Sequence, residues 1–163
     1  MTDDFTDRLI AALPSLRRFA LSLARAPDVA DDLVQITVER ALAAQDRYDP
    51  STPLMAWLFR ILRNAFIDMT RRTRTRGAET DIADAPEAAS VDGPRETEAR
   101  VMLDQTMAAM RDLPEDQRAI LTLVCVEELS YAEAAAVLDI PVGTVMSRLS
   151  RARRALASRL GME

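Results

Sequence analysis

Ser130 to Arg154, SYAEAAAVLDIPVGTVMSRLSRARR, reads as two short helices around a tight turn, the second carrying charge of only one sign. Ser130 and Glu133 have the S-x-x-E spacing of a capping box, in which hydroxyl and carboxylate each satisfy a backbone N–H at a helix start. The first helix is therefore expected over about Tyr131 to Leu138. Ala132, Ala134, Ala135 and Ala136 leave little side-chain bulk, so a second helix can cross closely. Pro141 has no N–H to give and fits only the connector or a helix opening. Gly143 is expected to relax the backbone where the second helix begins. On that helix Val145, Leu149, Ala152 and Leu156 recur at helical spacing and should face the core, while Thr144, Ser147, Arg148, Arg151 and Arg154 share the opposite face.

From Pro141 to Gly161 there are five arginines and no acid, in a chain of 163 residues whose formal net charge is −5. A locally cationic helix on an acidic protein calls for an anionic partner. Small hydroxyls near its start can approach base edges or phosphates, and arginines can bridge guanine edges or phosphate oxygens. A solvated surface helix would explain the arginines alone. It would not explain the joint pattern of cap, alanine-rich helix, proline turn, Gly-Thr-Val and arginine repeat.

With only four glycines, apolar residues at helical spacing and no sustained period-two alternation, the whole chain is expected to be all-α. All 21 basic residues are arginine, which we attribute to the nucleotide composition of the genome. One cysteine and no histidine exclude a histidine general base, a Cys/His zinc site and an intrachain disulfide. No catalysis, metal or cofactor is expected. Cys125, inside the apolar run Ile120 to Val126, is expected to be a small buried hydrophobe. The N-terminal MTDDFTDRLI lacks the apolar core of a signal peptide, and no stretch of about 20 apolar residues could span a membrane, so the expected location is the cytoplasm, with no membrane contact.

Between Thr73 and Thr97 the sequence changes to TRTRGAETDIADAPEAASVDGPRET, with two prolines, two glycines and few large apolar side chains. It can bury little and is expected to be a flexible linker over 74–97, separating helical domains at 1–73 and 98–163 that move relative to each other. An ordered lid across both is the alternative. In the C-terminal domain one helix is expected from Glu98 to about Met110. LPEDQR (113–118) then opens another that runs to about Glu128, with Ile120, Leu121, Leu123, Val124 and Val126 supporting the helix-turn-helix. In the N-terminal domain, Leu9, Leu13, Leu16, Phe19, Ala20 and Leu23 mark a helix over Thr6 to Ala26. These should pack against a long helix from Pro53 to about Thr73. That helix has an apolar stripe of Leu54, Trp57, Leu58, Ile61, Leu62, Ala65 and Met69, and a polar face of Arg60, Arg63, Asn64, Asp68 and Arg71.

Three segments together carry a resemblance. YAEAA from Tyr131 and PVGTVMSRLSRARR from Pro141 closely resemble region 4 of the extracytoplasmic-function sigma factors, the smallest class of the sigma-70 family. WLFRILRNAFIDMTRR, Trp57 to Arg72, resembles regions 2.3 and 2.4 of that class, and ADDLVQIT, Ala30 to Thr37, its region 2.2. Met146 stands where the family often has lysine, Asp139 where glycine is common, and Ile36 where a glutamate often follows the glutamine. The match covers nearly everything but the linker, in the same order.

The resemblance implies a sigma factor that binds core RNA polymerase and recognises promoter DNA in two places. It assigns Thr144, Ser147, Arg148 and Arg151, with Arg154 on the same face, to the minus 35 element. It assigns Asn64, with Asp68 and Arg71 on its helix face, to the minus 10 element. The loop RYDPST, Arg47 to Thr52, corresponds to the segment that pockets a base flipped from the stack, with Tyr48 either stacking or packing; Trp57 reads as core. Asp31, Asp32 and Gln35 would grip the clamp helices of the beta-prime subunit, although an acid at a helix start also suits the helix dipole, and Asp28 or Asp31 could be a cap. The beta flap and an anti-sigma protein are further implied partners. A stand-alone helix-turn-helix regulator would leave the Asp31–Asp32 and Asn64 regions without purpose. A sigma mimic that sequesters an anti-sigma protein would not need the arginine face.

Overall fold

The structure, a computed structural model, describes residues 2–75 and 97–162. Seven α-helices occur among them: α1 (Thr2–Ala24), α2 (Pro27–Ala43), α3 (Leu54–Thr75), α4 (Glu98–Arg111), α5 (Glu115–Leu121), α6 (Tyr131–Leu138) and α7 (Val142–Arg159). A 3-10 turn covers Gln45–Arg47 and a π turn Thr122–Val126. The described residues contain no strand. The expected linker falls largely on 76–96, outside the described residues; at its edges Arg74 and Thr75 continue α3, and the Thr97 hydroxyl caps α4 by accepting the Arg100 N–H at 3.3 Å.

Helices α1, α2 and α3 form the N-terminal unit, and α4 to α7 the C-terminal one. In α1, Leu9, Leu16, Phe19, Ala20 and Leu23 are buried and Leu13 partly so, as their spacing predicts. The helix continues through Pro14, which is exposed. It ends at Arg25, whose left-handed φ of 65° turns the chain into α2. Pro27 opens α2; neither Asp28 nor Asp31 caps it through its side chain, and Asp28 instead lies in the first turn, where the dipole favours a carboxylate.

On α3 the expected stripe is buried or half-buried, but burial extends further round: Phe59 is 0% exposed and Ala56 is buried too. The reason is that α3 packs on α1 and α2 and also on α6 of the other unit. A helix covered on several sides cannot show a single stripe. The Phe59 ring meets Phe19 of α1 edge-on, centroids 5.1 Å apart, in a core that runs without a break through both units.

Expectation and structure differ most after Leu121. The helix expected to reach Glu128 widens at Thr122, where the Glu127 N–H bonds the Thr122 carbonyl five residues back at 2.8 Å. Thr122, Val124 and Val126 are β-branched and crowd a regular helix. The wider turn carries Cys125 and Val126 outward, so both are exposed rather than buried, while Leu121, Thr122 and Leu123 stay in the core. Glu128, at φ 59°, then reverses the chain toward α6.

Candidate nucleic-acid interface

The helix-turn-helix is built as its sequence dictates. The Glu133 N–H donates to the Ser130 hydroxyl at 3.1 Å and the Ser130 N–H to the Glu133 carboxylate at 2.8 Å, completing the capping box. Asp139 ends α6 in the left-handed region (φ 53°, ψ 51°), a conformation that glycine adopts freely and aspartate tolerates better than most residues. The Ile140 N–H bonds the Ala135 carbonyl at 3.1 Å, and Pro141 is the N-cap of α7. Gly143 lies inside the first turn of α7, and a Cβ there would meet open space. Its value at this position is therefore not backbone freedom.

Val145, Leu149 and Ala152 are buried against α5 and α6, with Leu156 partly buried, which sets the rotation of α7. Ser147, Arg151 and Arg154 point to solvent. Thr144 and Arg148 are half-buried on the flank, so the five expected residues form a ridge and its shoulder rather than one flat face. Ser150 is also exposed and falls between Ser147 and Arg154 on the ridge; the sequence reading missed it, though its spacing on the helix was the available signal. The Ser147 hydroxyl donates to the Thr144 carbonyl at 3.1 Å, leaving its lone pairs outward.

The shoulder faces α3. Arg63 lies among Asp139, Arg148 and Glu115; its guanidinium pKa is lowered, mostly by burial, with Asp139 opposing and Arg148 adding to the shift. Burial likewise raises the Glu115 carboxyl.

Asn64 is exposed on the far side of α3 and lines an open cleft of about 360 Å³ with Arg40, Ala43, Ala44, Arg47, Trp57 and Ile61. A flat apolar wall, an amide and two guanidinium groups suit a planar base joined to a phosphate. Tyr48 sits beneath: its hydroxyl donates to the Thr52 carbonyl at 2.6 Å and its ring packs on Trp57 at 4.8 Å and Phe5 at 6.2 Å. Of the two roles left open for Tyr48, packing is the one it has here, and Trp57 is a half-buried cleft wall as well as a core residue. Asp68 pairs with Arg40 at 3.2 Å and so orients a cleft arginine, while Arg71 is exposed one turn from the end of α3.

On α2, Asp31, Asp32 and Gln35 are all exposed. Asp31 pairs with Arg17 of α1 at 3.0 Å, and the Gln35 amide reaches Glu39 at 3.4 Å. The arginine ridge of α7, the Asn64 cleft and this acidic face of α2 thus lie on separate parts of one body. No helix among the described residues is long and apolar enough to cross a membrane.

These features define a helix-turn-helix protein with an outward arginine ridge on α7 and an open cleft beside Asn64. Residues 9–76 match the family model for sigma-70 region 2, and 103–156 that for sigma-70 region 4. The chain is 43% identical to the ECF RNA polymerase sigma factor EcfG of Rhodopseudomonas palustris over 160 residues, covering 98% of this chain and 87% of that one. It is 34% identical to the ECF sigma factor SigM of Bacillus subtilis, covering 85% and 84%. Among solved structures, the sigma factor RpoE of Bartonella quintana, in complex with the anti-sigma factor NepR, superposes with a TM-score of 0.81 at 36% identity over 98% of both chains. The chain belongs to the extracytoplasmic-function sigma factors of the sigma-70 family: it is an alternative sigma factor for transcription initiation.

Proposed function

We propose that Ser147, Arg148, Arg151 and Arg154, with Thr144 at the flank, read the minus 35 element in the major groove, while Asn64, Arg71 and the cleft beside Tyr48 hold a base of the opened minus 10 element. The ridge of α7 supports the first assignment, since its outward residues are hydroxyls and arginines on a rigid helix. The cleft supports the second, with Asp68 acting through Arg40 rather than on DNA itself. Asp32 and Gln35, with Asp31 partly committed to Arg17, face the beta-prime clamp helices. The apolar side of α4, where Val101, Met102, Leu103 and Met107 are exposed, meets the beta flap. An anti-sigma protein controls the factor by covering such surfaces, as the likeness to a sigma factor bound by NepR suggests. The chain works in the cytoplasm, does no chemistry of its own, and its 74–97 linker lets the two units separate.

The observation that carries this reading is the pairing, in one chain, of the outward arginine ridge with the Asn64 cleft. The test is core-polymerase binding followed by initiation from one promoter. Asp32→Arg should lose polymerase, Asn64→Ala should bind polymerase but open the promoter poorly, and Arg148→Ala should lose dependence on the minus 35 sequence. Polymerase binding without promoter-dependent initiation would favour a mimic, and operator binding as a dimer without polymerase a stand-alone regulator.

A further inference from the structure

From Ser147 to Arg154 the exposed side chains of α7 are all hydroxyls and guanidinium groups. Met146 and Val142, in its first two turns, break that pattern: they are 54% and 43% exposed, and neither belongs to the core. They stand one turn apart and so share a flank of the helix. A helical side chain leans toward the N-terminus, which carries the Met146 thioether back over the turn that holds Val142. At about 100° per residue this flank lies beside Ser147, on the side away from Arg148 and its neighbour Arg63. Arg153, seven residues after Met146, continues the same flank as an exposed cation. The flank therefore begins apolar and turns cationic two turns later.

That order suits a helix set into the major groove, where the N-terminal residues come nearest the base edges. Those edges offer one apolar group, the 5-methyl of thymine, and an apolar contact with it is a direct way to tell thymine from the other bases. A cation at 146 would seek a phosphate, whereas a flexible, polarisable thioether chain adapts its shape to a methyl surface. Gly143 clears the approach, since it has no side chain and a Cβ there would meet nothing within 4 Å. The arginines beside this flank attract the phosphates, and the apolar pair is left for the groove between them.

We infer that Met146, backed by Val142, is a specificity-determining residue that packs on the 5-methyl group of a thymine in the minus 35 element. This rests on the minus 35 role proposed above for α7. The test uses holoenzyme assembled from the full-length protein and core polymerase, on a promoter fragment whose upstream block it requires. Each thymine of that block, on either strand, is replaced in turn by deoxyuridine, which pairs alike and lacks only the methyl group. One replacement should weaken binding about fourfold, the effect of losing one buried methyl. With Met146→Ala, thymine and deoxyuridine at that position should bind equally well, the non-additivity that a direct contact requires. Met146→Lys should also lose the thymine preference, and should steepen the slope of log affinity against log salt by about 0.9 as a phosphate contact is gained. Met146 is exposed, so both variants should keep the urea midpoint of the wild type. If every replacement is neutral in the wild type, or the sensitive thymine is still preferred fourfold with Met146→Ala, the methyl contact is overturned. It is overturned too if Met146→Ala weakens binding to core polymerase and leaves the thymine preference intact, which would turn the apolar flank toward protein. Those results leave the arginine reading of minus 35 standing. Holoenzyme that binds without regard to the upstream block would instead remove the minus 35 role of α7, and the methyl contact with it.

Discussion

Phe59 gives the sharpest test of how α3 is packed. It lies outside the apolar stripe that runs from Leu54 through Ile61 to Ala65, so a helix buried on one side would leave it wet. In the structure it is 0% exposed, with its ring edge-on to Phe19 at an interplanar angle of 70°. It stands one turn before Arg63, which faces Asp139 and Arg148 of the other unit. Removing a fully buried phenyl loses its transfer free energy and leaves a cavity, about 3 to 5 kcal/mol together, and the aromatic pair contributes about 1 kcal/mol of that or beyond it. Phe59→Ala should therefore cost about 4 kcal/mol in urea unfolding, about a quarter or more of the 5 to 15 kcal/mol usual for a folded domain. Phe59→Leu, which keeps most of the volume, should cost under about 1.5 kcal/mol. A loss below about 1 kcal/mol for Phe59→Ala would show that Phe59 is not enclosed and that the burial of α3 does not extend beyond its apolar stripe.

Ser130→Ala removes one half of the capping box and should destabilise the C-terminal unit by about 1 kcal/mol in chemical denaturation, with Glu133→Ala no worse; no change would mean that the box contributes nothing to α6. Arg151→Ala should weaken binding of the polymerase holoenzyme to a promoter fragment about equally across minus 35 sequences and reduce the slope of log affinity against log salt by about 0.9, as for one lost phosphate contact. An unchanged slope would place Arg151 off the DNA. The Ser51 N–H donates to the Asp49 carboxylate at 2.9 Å and holds its pKa below the ordinary aspartate value. A depressed acid contributes stability above its unfolded pKa and loses it as pH falls through the folded one. The Ser51 amide resonance should therefore titrate with a midpoint below that of a free aspartate, and Asp49→Ala should abolish the titration.

The helix-turn-helix was legible because its signals are local: a capping box, a proline that must open α7, and a 3.6-residue repeat that fixes which side is buried. Asp139 shows the same economy, since its left-handed turn occurs where glycine is common in the family. What the sequence hid was set by contacts between distant segments. The two-sided burial of α3 depends on α6, and nothing near Phe59 announces that. The outward turn of Cys125 depends on a π turn, which local apolar spacing reads as continuous helix. Arg148 lies on the α7 shoulder near Arg63 of α3, a neighbour more than 80 residues away in the chain. The bonds from Arg25 to the Arg111 carbonyl and from Arg118 to the Ser22 carbonyl were invisible for a further reason: a backbone carbonyl acceptor leaves no mark in a sequence.

The central claim is that one chain reads two separated stretches of promoter, each with a different unit, once polymerase holds them apart. Core polymerase charged with this protein and given a random promoter library tests it directly when the regions upstream of the transcript starts are sequenced. The account predicts two conserved blocks at a fixed spacing, the upstream block losing its information with Arg148→Ala and the downstream block with Asn64→Ala. Starts with no shared upstream sequence, or both blocks unaffected by both substitutions, would contradict it.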